Sequence, residues 1–314
     1  MAGLGFALLL LLIIGAGLAG FAAYAARRVE AVVPPLGRFL DIDGERIHYV
    51  DKGAGPTLFM IHGLAGQLRN FTHSLVDRLA DEFRVVALDR PGCGYSTRAA
   101  GAPAGLRAQA ATLANVISAL GLERPLVIGH SMGGAIALAL ALDHPDRVGA
   151  LALIAPLTQV MRAPPPAFRG LDIPWAGVRW IAAWTLAIPV AMITSRRALK
   201  EVFAPERTPA DFGTAGGALL GLRPAAFYAA SSDLTAANRD LEVMSPRYGS
   251  LRVPVGILAG RGDHILDYQV QDEVLKQQIL DLDLEIVDGG HMLPVTQPGV
   301  CADFIRRTAK RARR

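Results

Sequence analysis

The chain has 314 residues, 52% of them hydrophobic, with a formal net charge of +4. That length suits one large catalytic domain with an insertion or two small domains, and it excludes a small disulfide-stapled scaffold, since only Cys93 and Cys301 are present. The positive charge owes much to the tail from Arg306 to Arg314, so the rest of the chain is close to neutral and nucleic acid is not expected as a partner.

From Ala2 to Ala26 there is no charged side chain, and Leu8 to Ile14 is unbroken aliphatic. At about 1.5 Å rise per residue, roughly 20 such residues cross a hydrocarbon core of about 30 Å, so residues 1–28 are expected to be a single-pass membrane anchor. Arg27 and Arg28 follow it and vote for a cytoplasmic domain by the positive-inside rule. A cleaved signal peptide is the alternative, because Ala23-Tyr24-Ala25 has the form of a small-residue cleavage site; no Lys or Arg precedes the run, which speaks for the anchor. Residues 29–37, with Pro34 and Pro35, read as an extended linker.

Arg38 to Val50 alternates apolar and polar residues around Asp43-Gly44, the signature of a β-hairpin. Buried-type strands follow at Thr57–Ile61, Val85–Leu88, Leu126–Ile128, Ala150–Ile154, Val255–Ala259 and Leu284–Val287, separated by helical stretches. Strands alternating with helices predict an α/β fold with a mostly parallel twisted sheet covered on both faces. The core is expected in two parts, residues 38–155 and 247–314, the second ending in a basic tail that is either a solvated helix end or a contact for anionic lipid. Between them, residues 156–246 change to a Pro-, Trp- and Ala-rich pattern with helical periodicity, broken by Pro164 to Pro166, Pro205, Pro209 and Pro224. That is the composition of a helical cap or lid over the strand ends, where open α/β sheets hold ligands. Within it, Trp180 to Ile188 is too short for a second span and suits a pocket wall or a membrane-skimming face.

Gly129-His130-Ser131-Met132-Gly133 lies directly between a predicted strand and a small, apolar predicted helix. A serine on so sharp a turn takes a strained backbone and projects its hydroxyl into the cleft at a helix N-terminus. Such a serine needs a base, and the base a carboxylate. Asp263, in Gly260-Arg261-Gly262-Asp263, and His291, in Gly290-His291-Met292, both follow predicted strands, in the order Ser, Asp, His. His264 competes with His291, and Asp267, Asp281 and Asp283 with Asp263. Of the seven histidines, His62 and His130 are expected to be structural hydrogen-bonding residues, and His48, His73 and His144 surface or packing residues.

From about Phe39 onward the chain resembles the α/β-hydrolase superfamily, in particular its capped esterase, lipase and C–C hydrolase branch. Gly129 to Gly133 resembles the nucleophile elbow, Gly260 to Asp263 the acid loop, Gly290 to Pro294 the histidine loop, His62-Gly63-Leu64 the oxyanion loop and Asp89 to Ser96 the turn after a core strand. The resemblance implies catalytic Ser131, Asp263 and His291, and an oxyanion hole from the N–H groups of Leu64 and Met132. It implies a hydrophobic carboxylic ester as substrate, cleaved through a Ser131 acyl-enzyme, with no metal or organic cofactor; it says nothing of oligomeric state. Serine at the elbow speaks against dehalogenase and epoxide hydrolase chemistry, which uses a carboxylate there. A C–C bond hydrolase of ring-cleavage diketones is the alternative, although His130 and Met292 stand where those enzymes usually carry Asn and Trp. A non-catalytic binding module of the same fold is the reading from another class.

Overall fold

The structure is a computed structural model and describes residues 2–312. Helix α1 (Ala2–Val32) leads into β1 (Arg38–Ile42) and β2 (Glu45–Lys52), joined at Asp43 and Gly44 with φ of 50° and 78°. Positive φ at both turn residues matches the right-handed twist of the paired strands. Next come β3 (Thr57–Ile61), the short helices α2 (Arg69–Thr72) and α3 (Val76–Leu79), β4 (Arg84–Leu88), α4 (Leu106–Ala119), β5 (Leu126–His130), α5 (Met132–Asp143) and β6 (Ala150–Ile154). After a long excursion containing α6 (Ala176–Trp184), α7 (Ala187–Phe203) and α8 (Pro224–Met244), the chain returns as β7 (Val255–Gly260), α9 (Tyr268–Gln278), β8 (Leu282–Val287), α10 (Leu293–Thr296) and α11 (Pro298–Arg311).

The eight strands form one sheet in the order β1-β2-β4-β3-β5-β6-β7-β8, parallel except where β2 pairs antiparallel with β1 and β4. Because side chains alternate across a strand, each central strand feeds two cores. Phe59, Ile61, Val127, Leu151, Leu153 and Ile257 pack toward α4 and α5, while Leu58, Met60, Ile128, Ala152 and Leu258 pack toward α3 and α11. Continuous Val/Ile/Leu/Ala runs are therefore required, and the sequence supplies them.

Three features go beyond the expectation. Helix α1 continues to Val32, four residues past residue 28, and Val29 and Val33 pack with Leu220 of the excursion, so the segment is no free linker. The excursion is helical, but α6 and α7 meet at an 80° bend. The basic tail is not simply solvated: Arg306 pairs with Glu82 and Asp303, Arg307 with Glu285, and Arg311 with Asp281 and Asp283.

Candidate active site

Ser131 sits between β5 and α5 with φ +55° and ψ −124°, a backbone region that a residue with a Cβ enters only when its surroundings impose it. The surroundings do so through three bonds: the Ser131 N–H donates to the Ile154 carbonyl at 3.1 Å, and its own carbonyl accepts from Gly134 at 2.8 Å and from Leu157 at 3.0 Å. The turn also needs Gly133, where a Cβ would stand 2.1 Å from the Ile61 carbonyl oxygen. The chain of β3 thus passes close over the start of α5 and brings the Gly63-Leu64 loop beside the serine; a Cβ on Gly63 would lie 2.8 Å from that of Ser131.

Asp263 and His291, 28 positions apart at the ends of neighbouring strands, meet with Asp263 Oδ2 2.7 Å from His291 Nδ1, and both side chains are buried. Asp263 Oδ1 also accepts from the N–H groups of Ile265 (2.7 Å) and Leu266 (3.0 Å). Burial alone would raise the Asp263 pKa, but the adjacent His291 and those two donors outweigh it and hold the carboxyl below its usual range. His291 and Ser131 line one cavity of about 510 Å³, together with Leu186, Val190, Phe203 and Phe227. Among the described residues the Ser131 hydroxyl has no hydrogen-bond partner.

Leu64 and Met132 line a small recess of about 20 Å³ that ends on Ser131. The N–H of Met132 is the first of α5 and has no helical acceptor, and neither it nor the N–H of Leu64 is engaged elsewhere among the described residues. The rivals have other places. His264 and Asp281 are exposed, Asp267 caps α9 by accepting from the Gln269 N–H, and Asp283 pairs with Arg311.

His62 and His130 are structural, as expected from sequence. His62 Nε2 accepts from the Arg90 N–H at 3.0 Å while Nδ1 donates to the Gly63 carbonyl at 2.8 Å. His130 Nε2 donates to the His291 carbonyl at 2.9 Å, fixing the loop that carries the imidazole. Burial, with His291 beside it, pushes the His130 pKa down to about 3, and burial next to Arg90 holds His62 well below its ordinary value.

Two residues that sequence reasoning gave no role complete the site. Arg90, fully buried, donates to the carbonyls of His62 and Gly63 at 3.0 Å each, to Gln109 Oε1 at 2.6 Å and to Asp233 Oδ2 at 2.7 Å. Asp233 comes from α8 and also pairs with Arg98 at 2.6 Å. The oxyanion-side loop is therefore tied to the excursion through one buried guanidinium. A signal existed only in the turn Asp89-Arg90-Pro91-Gly92; nothing local marks Asp233, 143 positions away. Among the described residues, no group of three or more His, Cys, Asp or Glu is placed to hold a metal ion.

Asp272 on α9 is buried near Asp263 and Asp267, and its Oδ1 has no partner among the described residues. Burial, then the charges of Asp263 and Asp267, push its carboxyl up to about 8. Between its ordinary value of 3.8 and 8 the unfolded chain binds fewer protons at this position than the folded one. Its stabilising share is thus complete below pH 3.8 and declines by about 1.4 kcal/mol per pH unit up to its folded pKa. Neutral His130 and His62 act oppositely, lowering stability as pH falls below their ordinary 6.5, where only the unfolded chain takes up the protons. Stability is expected to peak near pH 6.5, and Asp272→Asn to abolish the decline from there to pH 8 in a thermal-unfolding series. A variant that declines as steeply as wild type would show that Asp272 is ionised in the fold.

A family model described as alpha/beta hydrolase fold matches residues 56–181. Among curated proteins, the chain is 45% identical over 122 residues to the dihydrolipoyllysine-residue acetyltransferase component of an acetoin cleaving system from Cupriavidus necator, covering 38% of this chain and 32% of that protein. It is 36% identical over 144 residues to a 2-hydroxymuconate semialdehyde hydrolase from a Pseudomonas species, covering 45% and 50% respectively. The match thus spans half or less of each of these relatives' length. Among solved structures, a bacterial membrane phospholipase A superposes with a TM-score of 0.67 at 24% identity, over 100% of this chain and 99% of that one. The matched core, the eight-stranded sheet and its strand-turn-helix serine give the chain the α/β-hydrolase fold.

Proposed function

We propose that the chain is a membrane-anchored serine hydrolase of hydrophobic carboxylic esters, with Ser131 as nucleophile, His291 as base and Asp263 as its orienting partner. The observation that carries this reading is the 2.7 Å contact between Asp263 and His291, with His291 and Ser131 facing the same apolar cavity. His291 Nε2 takes the Ser131 proton as Oγ attacks the ester carbonyl, and the imidazolium, held in its tautomer by Asp263, returns it to the leaving alcohol. Water then takes the alcohol's place: His291 removes its proton as its oxygen attacks the acyl carbon, the bond to Oγ breaks, and Oγ recovers the proton as the acid leaves. The N–H groups of Leu64 and Met132 receive the oxyanion, each such donor being worth on the order of 3 kcal/mol of barrier. The excursion at 156–246 serves as a cap, since its side chains supply much of the cavity wall. Helix α1 serves as the anchor: it is long and apolar enough to span, and its buried Ala22 lies ahead of the alternative cleavage site.

A fluorophosphonate is expected to label wild-type protein at Ser131. A panel of p-nitrophenyl esters of rising chain length, run beside a ring-cleavage diketone, tests the substrate class. Turnover of the diketone alone would overturn the ester reading in favour of C–C cleavage, the activity named in the Pseudomonas relative. Absence of both labelling and turnover would leave a binding module.

A further inference from the structure

The bend between α6 and α7 carries a dense set of exposed apolar side chains. Trp180 is 59% exposed, Ile181 58% and Ile193 82%, with Trp175, Val178 and Met192 also turned outward. So many neighbouring large apolar groups left in water would be unusual for a soluble surface and mark an interaction site. Next to them on α7 stand Arg196, Arg197 and Lys200, all exposed and without a carboxylate partner among the described residues.

The position of α1 identifies what covers this surface. Its 31 residues rise about 46 Å, more than a hydrocarbon core of about 30 Å needs, so part of the helix extends beyond the apolar layer. Its two buried positions, Ala22 and Val29, lie on one helical stripe with half-buried Ala19 and Ala26, and Val33 just past the helix continues it. Helix α1 packs against α6, α7 and α8. The junction is clamped by Glu30 with Arg223 at 3.2 Å, by Arg69 donating to the Pro34 carbonyl at 2.6 Å, and by the Tyr95 hydroxyl donating to the Val33 carbonyl. The bend is therefore held beside the C-terminal half of α1, the half from which the rest of the chain emerges. Leu186 and Val190 line the cavity and are 61% and 51% exposed, so solvent reaches the cavity wall where α6 turns into α7.

We infer that the α6–α7 bend is a second membrane contact, seated in the leaflet from which α1 emerges, and that the cavity receives its substrate, the acyl chain of a membrane lipid ester, from that leaflet. This deepens the proposed function and rests on α1 being retained as the anchor. The three cations then face anionic head groups, and the indoles of Trp180 and Trp184, 6.5 Å apart, take the amphipathic interfacial position that tryptophan favours.

The chain contains only three tryptophans, Trp175, Trp180 and Trp184, all on this segment, so selectively excited tryptophan emission of the full chain reports this segment alone. The test reconstitutes it in vesicles of phosphatidylcholine with some phosphatidylglycerol, either plain or brominated on the acyl chains. Bromination is expected to remove about half or more of the emission, as for side chains seated at the acyl boundary. Ile181→Ser with Ile193→Ser, both exposed and outside the cavity wall, is expected to cut hydrolysis of a long-chain ester presented in vesicles about tenfold, with a soluble short-chain ester changed less than about twofold. Equal emission in plain and brominated vesicles would overturn the contact. So would loss of a dimer in the double variant without quenching, which would assign the face to a second copy of the chain. A wild type that quenches but cleaves neither ester would overturn the proposed chemistry and leave the membrane contact standing.

Discussion

Replacement of Ser131 by alanine is expected to lower ester turnover by about four to six orders of magnitude, with substrate binding little changed, because the loss falls on the step in which the Ser131 oxygen attacks. Replacement of His291 by alanine should cost a similar factor, since an unassisted serine hydroxyl is a weak nucleophile. The decisive comparison is the double variant. If the two groups act as one unit, Ser131→Ala with His291→Ala will be no slower than either single change. Steady-state rates on a short p-nitrophenyl ester, with fluorophosphonate labelling followed by mass spectrometry, provide the readout. Ser131→Ala retaining activity within about tenfold of wild type would remove Ser131 from the mechanism.

The second large effect is expected at Asp233, which touches no part of the reacting centre. Asp233 and Arg90 are both fully buried, and Asp233 is the carboxylate that balances Arg90. Asp233→Ala leaves that guanidinium uncompensated in a dry interior, a change that costs about 3–5 kcal/mol and on the order of 10 °C in midpoint. Catalysis should suffer too, because the same guanidinium holds the carbonyls of His62 and Gly63 and so aims the Leu64 N–H. The expected signature is a lowered kcat at nearly constant KM for a short soluble ester. Asp233→Asn, which keeps an acceptor and the side-chain volume, should recover part of both losses. A fully stable Asp233→Ala protein with normal kcat would show that the tie between α8 and the loop is dispensable.

The legible parts of the chain were those written in short-range code. Each central strand is a run of three to six apolar residues, and burial on both faces demands that run whatever its neighbours are. The Ser131 turn depends on glycines within two positions and on the helix that follows, so it too could be read locally. Asp263 and His291 were legible because both follow strands, and parallel strands deliver their ends to one edge. Asp233 was not, because its partner lies 143 positions away and an aspartate in a long helix ordinarily faces water. The packed stripe of α1 was hidden for another reason: in a helix apolar on every side, periodicity singles out no face. The tail read as cationic because, Asp303 apart, its acidic partners stand on other elements, Glu82 ahead of β4 and Asp283 and Glu285 on β8.

Those tail contacts bear on how the molecule behaves in a crowded solution. Strand β8 closes one end of the sheet and offers unpaired backbone groups to any other extended chain. Its outward Asp283 and Glu285 are engaged by Arg311 and Arg307 of α11. Both charges project from the face of β8 on the α11 side, and charged residues on an edge strand disfavour the addition of a further strand beside them. The last helix thus holds paired charge along the open end of the sheet, with arginines that the sequence alone left as either a solvated helix end or a contact for anionic lipid.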